Sequence, residues 1–194
     1  LYRYTGKEIY RDAAVRYADL LVKCQEQGDG GPAGGYFYHD ETKKVIVHFS
    51  HQSRDYLFAG ALREVCEACA DCRGRKAWES ALNLHGAYLK YLASFSSPYG
   101  MLPAGVYHIS EAENQGVFEV LHPQTDFFSR KADYVCQLKN GIALGEGYYI
   151  RMFPVWFSFR GNSAIMLSMG KAASVIGGYF QDRELLDIAG EQLY

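Results

Sequence analysis

The chain has 194 residues, of which 48% are hydrophobic and 22% are charged, values typical of a globular domain with a core of its own. Its formal net charge of −2 gives no electrostatic reason to expect a nucleic acid or an anionic membrane as a partner. No stretch approaches the roughly 20 apolar residues that a membrane span needs, so we expect no membrane partner.

The first third of the chain predicts a helix followed by a β-hairpin. Thr5 and Glu8 have the spacing of a capping box, in which side-chain oxygens accept hydrogen bonds from the free amides of a helix start. The predicted buried stripe of this helix is Ile9, Ala13, Tyr17, Leu20 and Cys24. The glycine-rich stretch 28–35 favours a flexible turn over a phosphate loop, because residues 35–40 and 44–49 then alternate as two strands.

Two further helices are predicted in the middle of the chain, separated by Gly74. The first begins near Ser50 or Ser53, and its apolar stripe is Phe58, Leu62, Val65 and Cys69. The stripe of the second is Trp78, Leu82, His85, Leu89 and Leu92, which makes His85 a core histidine. The short connection predicts that these two helices pack antiparallel.

Extended and weakly helical segments follow. Residues 99–108 are predicted to be extended, 110–113 to form a short turn, and 124–138 to form a weaker helix. Residues 141–157 predict an aromatic hairpin with Gly145 and Gly147 near its turn.

The last helices carry the strongest architectural signal. Residues 162–179 contain one charged residue, Lys171, and a helix that is apolar all round is expected to be buried on all sides. Asp182 is predicted to cap a final helix. We therefore predict one mostly α domain over residues 1–194, a portion of a layered toroid with small β-hairpins at one rim. The chain opens at Leu1 and stops at Tyr194 within a helical pattern, so we expect the rest of a longer chain as its partner.

The densest polar cluster comprises His48, His51, Arg54 and Asp55, where a predicted strand meets a helix. The start of a helix favours anions, and Asp55 is four residues from His51, close enough to orient its imidazole. Helix capping explains the same residues equally simply. A metal site is disfavoured, since His48 and His51 lack a third ligand at a diagnostic spacing.

A second candidate site lies near Trp156 and Arg160, ahead of the predicted buried helix. A charged guanidinium beside such apolar sequence needs a ligand or an ion-pair partner, and both explanations stay open. Gly161 permits a close approach and Asn162 could cap the helix. Tyr107 and its extended segment could reach the same rim.

The cysteines Cys66, Cys69 and Cys72 have a spacing found in iron–sulfur proteins. They lie within a good helical pattern, so we interpret them as small buried hydrophobes. No phosphate-loop, dinucleotide or nucleophile-elbow motif is present, and we predict no cofactor.

Several stretches together resemble bacterial proteins related to glycoside hydrolase family 9. They are residues 35–40, 48–51, 98–103, 159–163 and 182–194. The resemblance implies part of an (α/α)6 toroid, the six-hairpin glycosidase architecture. It also implies a secreted or periplasmic enzyme that hydrolyses β-linked glucans or related polysaccharides with inversion.

Inverting hydrolysis uses a carboxylate base and a carboxylic acid. Neither of the family's catalytic motifs is found here, so the resemblance places the catalytic carboxylates outside this segment and leaves the segment inactive alone. The candidates it offers for contact with a polysaccharide or oligosaccharide are His48, His51, Arg54, Tyr107, Trp156 and Arg160. In a hydrolase, Trp156, Tyr107 and His51 should converge on one groove.

Two other classes of function stay open. A polysaccharide lyase toroid could use Tyr107, His51, Arg160 and Asn162, because lyases employ tyrosine as a base or acid and cationic or amide groups to neutralise a uronate. A helical scaffold that binds proteins without chemistry is the third alternative. The aromatic hairpins argue against the scaffold.

Overall fold

The computed structural model describes residues 1–38, 40–43, 55–103, 106–112, 135–136, 139–150 and 156–193, with the backbone alone at 111–112 and 156–166. These ranges contain six α-helices and three short strands. The helices are α1 Tyr2–Thr5, α2 Glu8–Cys24, α3 Asp55–Ala68, α4 Arg75–Ser94, α5 Trp156–Phe180 and α6 Arg183–Glu191. The strands are β1 Val106–His108, β2 Ile142–Gly145 and β3 Tyr148–Ile150. A mostly α fold with a small sheet is confirmed.

Helix α4 lies at the centre of the described core and packs against α2, α3, α5 and α6. All the residues of its predicted stripe are buried, among them Trp78, Leu82 and Leu89. The indole Nε1 of Trp78 donates a 2.7 Å hydrogen bond to Asp19, which ties α4 to α2 while keeping the buried N–H paired. Among the described helices, none has the length and apolar content needed to cross a membrane.

Helix α3 also follows its predicted stripe. Leu62, Val65 and Cys66 are buried, and Cys69 is buried just beyond the end of the helix. Burial raises the pKa of the thiols of Cys66 and Cys69 to about 11, with a further contribution at Cys69 from its neighbour Cys72. The two side chains are therefore neutral and pack as small hydrophobes.

The predicted buried stripe of α2 is wrong at three of its five positions. Ile9, Tyr17 and Leu20 are exposed, and Cys24 is buried as predicted. Outside the predicted stripe, Ala18 is buried and Leu21 packs against the core. Two apolar stripes run along this helix, and the small side chain of Ala18 allows the close approach of its neighbours.

The predicted capping box at the start of α2 is also wrong. Thr5 ends helix α1, and its hydroxyl donates to the carbonyl of Leu1 at 2.9 Å. The residue that precedes α2 is Lys7, whose side chain makes no capping hydrogen bond.

Helix α5 begins at Trp156, six residues before the predicted start, so Asn162 lies inside the helix and does not cap it. The expectation of burial on all sides is wrong for the side chains described from 167 to 180. Met169, Ala172, Ala173 and Ile176 form a buried face, whereas Leu167, Lys171, Ser174 and Gly178 form an exposed one. The exposed face carries little apolar surface beyond Leu167, so its exposure costs little.

The three strands form an antiparallel sheet in the order β1-β3-β2. In it Val106 faces Ile150, Tyr107 faces Tyr149 and His108 faces Tyr148. The predicted second hairpin is confirmed for residues 142–150. Its turn contains Gly145 and Gly147, both with positive φ. The predicted strand at 44–49 and nearly all of the predicted helix at 124–138 lie outside the described residues.

The last helix confirms its predicted cap. The carboxylate of Asp182 accepts a 3.2 Å hydrogen bond from the amide of Leu185. Lys90 of α4 lies 2.7 Å from Asp182 and 2.8 Å from Glu184, so its ammonium joins the start of α6 to the central helix.

Truncating a leucine on the buried face of α3 should cost far more stability than truncating one on its outer face. We expect Leu62→Ala, at a side chain with 0% exposure, to lower the free energy of unfolding by about 2–5 kcal/mol. Leu57→Ala, at 48% exposure on the same helix, should change it by less than about 0.5 kcal/mol. Urea denaturation measures both, and equal losses would contradict the observed burial.

Candidate functional site

An open cleft of about 550 Å³ lies where the sheet meets the loop that follows α2. We call it the tyrosine cleft. The side chains that give it its chemistry are Asp29, Tyr38, Lys43, His108, Glu146, Tyr148 and Tyr149. The cleft thus combines aromatic rings with carboxylates, an ammonium and an imidazole.

Beneath the cleft, the buried carboxylate of Glu26 holds Tyr38 in place. One Glu26 oxygen accepts hydrogen bonds from the amides of Gly28 at 2.8 Å and Asp29 at 3.0 Å, and the other accepts from the Tyr38 hydroxyl. Burial by itself would raise the pKa of Glu26, but these three hydrogen bonds outweigh it and the pKa lies below its ordinary value. Glu26 is therefore an ionised anchor.

The phenol of Tyr38 meets that of Tyr148 across the floor of the cleft, with the two hydroxyl oxygens 3.4 Å apart. Burial raises the pKa of both tyrosines, and the bond to Glu26 raises that of Tyr38 further. Lys43 lies over the Tyr38 ring, its Nζ 5.4 Å from the centroid. Both phenols are consequently neutral at ordinary pH.

His108 stands at the end of β1 with its ring edge-on to Tyr148, the centroids 4.5 Å apart. Its Nδ1 accepts a 3.1 Å hydrogen bond from the amide of Ser110 and lies 2.6 Å from the Ser110 hydroxyl. Because Nδ1 accepts from an amide, the hydrogen-bond network places the proton of the neutral ring on Nε2.

Two glycines make room for these rings. A Cβ at Gly147, where φ is +76°, would lie 2.5 Å from His108 Nε2, and one at Gly31 would lie 2.6 Å from the Tyr148 ring. Neither position accepts a larger residue without displacing a ring of the cleft.

The structure describes few of the predicted site residues. His48, His51 and Arg54 lie outside the described residues. The backbones of Trp156 and Arg160 lie in α5, and their side chains are outside the description.

Tyr107 on β1 is described and is 1% exposed, so its side chain is buried in the interior. Its partner across the sheet is Tyr149, which lines the tyrosine cleft. The predicted convergence of Trp156, Tyr107 and His51 on one groove therefore stays a prediction. Asp55 lies 3.6 Å from Nε2 of His85, and its predicted pairing with His51 stays a prediction because His51 is outside the described residues.

Sequence reasoning did not find Glu26, Tyr38 or Tyr148 as a group. A glutamate two residues before the first glycine of a glycine-rich stretch was one available signal, since its carboxylate can accept hydrogen bonds from the amides of the loop. The contact between Tyr38 and Tyr148 joins residues 110 positions apart, and no local pattern predicts it.

Comparison of the chain with protein-family models, with curated proteins and with solved structures finds no match. Within the described part of the chain, no three His, Cys, Asp or Glu side chains are grouped so as to hold a metal ion.

The hydrogen bonds to Glu26 predict a specific dependence of stability on pH. A carboxylate with a lowered pKa stabilises the fold above its ordinary value of 4.5, and this contribution is lost as the pH falls through the lower folded value. Glu26→Gln lacks the contribution, so its stability deficit relative to the wild type should shrink as the pH falls below 4.5.

Chemical denaturation across this pH range measures the deficit. Glu41→Gln, which removes an exposed carboxylate paired with Lys23, is the matched control and should stay within about 0.5 kcal/mol of the wild type. A Glu26→Gln deficit that is constant with pH would contradict the role of Glu26 as an ionised anchor.

Proposed function

We propose that the tyrosine cleft binds a saccharide and that the protein acts as part of a glycoside hydrolase on a polysaccharide or oligosaccharide. The observation that carries the proposal is a cleft whose lining includes the aromatic residues Tyr38, Tyr148, Tyr149 and His108 beside fixed polar groups. The mostly helical fold is compatible with a portion of an (α/α)6 toroid, and we include that architecture in the proposal.

The chemistry of the cleft suits a sugar better than a purely apolar ligand. A pyranose ring has apolar C–H faces that pack on aromatic rings and a rim of hydroxyls that both donate and accept hydrogen bonds. Tyr149 is half-buried and lines the cleft, and Lys43, Asp29 and Glu146 line the same cleft with donors and acceptors. A cleft with both features can recognise a neutral, hydroxyl-rich ligand.

The residues of the cleft support binding more than catalysis. Acid–base hydrolysis needs one carboxylic acid that gives a proton and one carboxylate that activates water. Glu26 is unsuited to the acid role, because it is buried, ionised and saturated with hydrogen bonds. We therefore assign saccharide recognition to the cleft and no catalytic role to Glu26.

A polysaccharide lyase is the second candidate. The phenols of Tyr38 and Tyr148 lie beside the imidazole of His108 and the ammonium of Lys43, which are group types that lyases use on uronates. The raised pKa of both tyrosines counts against their use as the base of a lyase, because little of either phenol is ionised at ordinary pH.

Replacing Tyr149, the half-buried tyrosine of the cleft, tests saccharide binding. With cello-oligosaccharides as the probe, we expect Tyr149→Ala to weaken binding measured by calorimetry at least about tenfold, which corresponds to about 1.4 kcal/mol of lost packing. Tyr99→Ala removes a ring of the same type that is 69% exposed on the loop after α4, and it should leave the affinity unchanged.

Equal effects of the two substitutions would contradict a role for the cleft, and absence of binding to any β-linked glucan would contradict the substrate class. Because the segment is expected to be inactive alone, the type of reaction is tested on the longer chain that the proposal includes. Release of reducing ends from a β-linked glucan supports hydrolysis, whereas release of products with the near-ultraviolet absorbance of unsaturated uronates from a uronate polymer would replace it with the lyase.

A further inference from the structure

A second group of polar side chains lies inside the fold, away from the tyrosine cleft. Asp55 at the start of α3, His85 and Tyr88 on α4, and Tyr36 on the segment after the glycine-rich loop are each no more than 3% exposed. We call these four residues the buried polar cluster. The His85 ring lies 5.2 Å from that of Tyr36 and is stacked on Tyr88 at 5.7 Å, measured between centroids.

The histidine of this cluster has a defined orientation. Nδ1 of His85 lies 2.9 Å from the carbonyl oxygen of Gly34, and since a carbonyl only accepts, Nδ1 carries the proton and donates. Nε2 of the neutral ring is then an acceptor. It lies 3.6 Å from Asp55 Oδ2, which is too long for a direct hydrogen bond.

Four polar atoms of the cluster have no hydrogen-bond partner among the described residues. They are Asp55 Oδ1, His85 Nε2, and the hydroxyls of Tyr36 and Tyr88. A buried polar atom without a partner is costly and uncommon, and four within one small group of side chains are exceptional. Interior waters that make two to four hydrogen bonds are the usual means by which proteins satisfy such groups.

The cluster is suited to a neutral occupant. Burial raises the pKa of Asp55, Tyr36 and Tyr88, and it lowers the pKa of His85 to about 4. Burial therefore favours the neutral form of each of these groups, and such an interior suits an uncharged occupant better than an ion.

We propose that the buried polar cluster encloses a binding site for an ordered internal water molecule. This water donates a hydrogen bond to His85 Nε2, and Asp55 and the hydroxyls of Tyr36 and Tyr88 supply its other partners. It thereby joins α3, α4 and the segment after the glycine-rich loop. The site is independent of the saccharide proposal, and it is tested without any saccharide present.

Water-detected NMR on the isotopically labelled chain tests the site directly. We expect cross-relaxation between a long-lived water and the His85 ring protons, together with a ring ¹⁵N shift that marks Nε2 as a hydrogen-bond acceptor. The exposed ring of Tyr91, also on α4, is the internal control and should contact only rapidly exchanging water.

Removing single hydroxyls supplies a second readout that does not depend on NMR. If the hydroxyls bond the water, Tyr36→Phe and Tyr88→Phe should each raise the equilibrium constant of unfolding at least about fivefold. Tyr91→Phe should leave it unchanged. These substitutions keep the ring and the core packing, so the variants are expected to fold.

The proposal fails if the His85 ring protons show no contact with a long-lived water. It fails equally if both hydroxyl deletions match Tyr91→Phe or stabilise the fold, because an unpaired buried hydroxyl is neutral or favourable to remove. A water signal that persists when saccharide binding is absent supports the site while leaving the proposed function refuted.

Discussion

The contact between the Gly34 carbonyl and helix α4 is the constraint on which both polar sites depend. This carbonyl accepts hydrogen bonds from the Gln25 side chain at 3.2 Å and lies 2.9 Å from Nδ1 of His85. Gly34 has φ of +97°, and a Cβ there would lie 2.3 Å from the carbonyl oxygen of Leu84. Only a glycine lets the loop backbone approach the helix this closely.

The loop is closed by its own backbone as well. The amide of Gly34 donates to the carbonyl of Glu26 at 2.7 Å, and the amide of Glu26 donates to the carbonyl of Gly35 at 2.9 Å. Closure brings Glu26 next to the residues that follow the loop, so Tyr38 reaches its carboxylate while Tyr36 packs on His85. The closed glycine-rich loop thus positions Tyr38 for the tyrosine cleft and Tyr36 for the buried polar cluster.

Sequence patterns predicted the buried faces of α3 and α4 well and that of α2 poorly. In α3 and α4 a single apolar stripe stands out against polar neighbours, so Leu62 and Leu82 could only face inward. In α2, Ile9 and Tyr17 of the predicted stripe are exposed, whereas Ala18 is buried and Leu21 and Val22 pack against the core beside it. Burial there follows contacts made by distant residues, such as the bond from Trp78 to Asp19.

The same limit applies to the sites. The clusters around His51 and Arg160 are local in sequence, which is why pattern reasoning selected them. The described sites are built from pairs far apart in the chain, Tyr38 with Tyr148 and Asp55 with His85, that only the folded backbone brings together.

The most direct measurement of the saccharide account is an NMR titration of the chain with cello-oligosaccharides. The account predicts shifts confined to the tyrosine cleft, including Tyr149 and His108, with α6 unaffected. Unchanged spectra, or shifts that avoid the cleft, would contradict it.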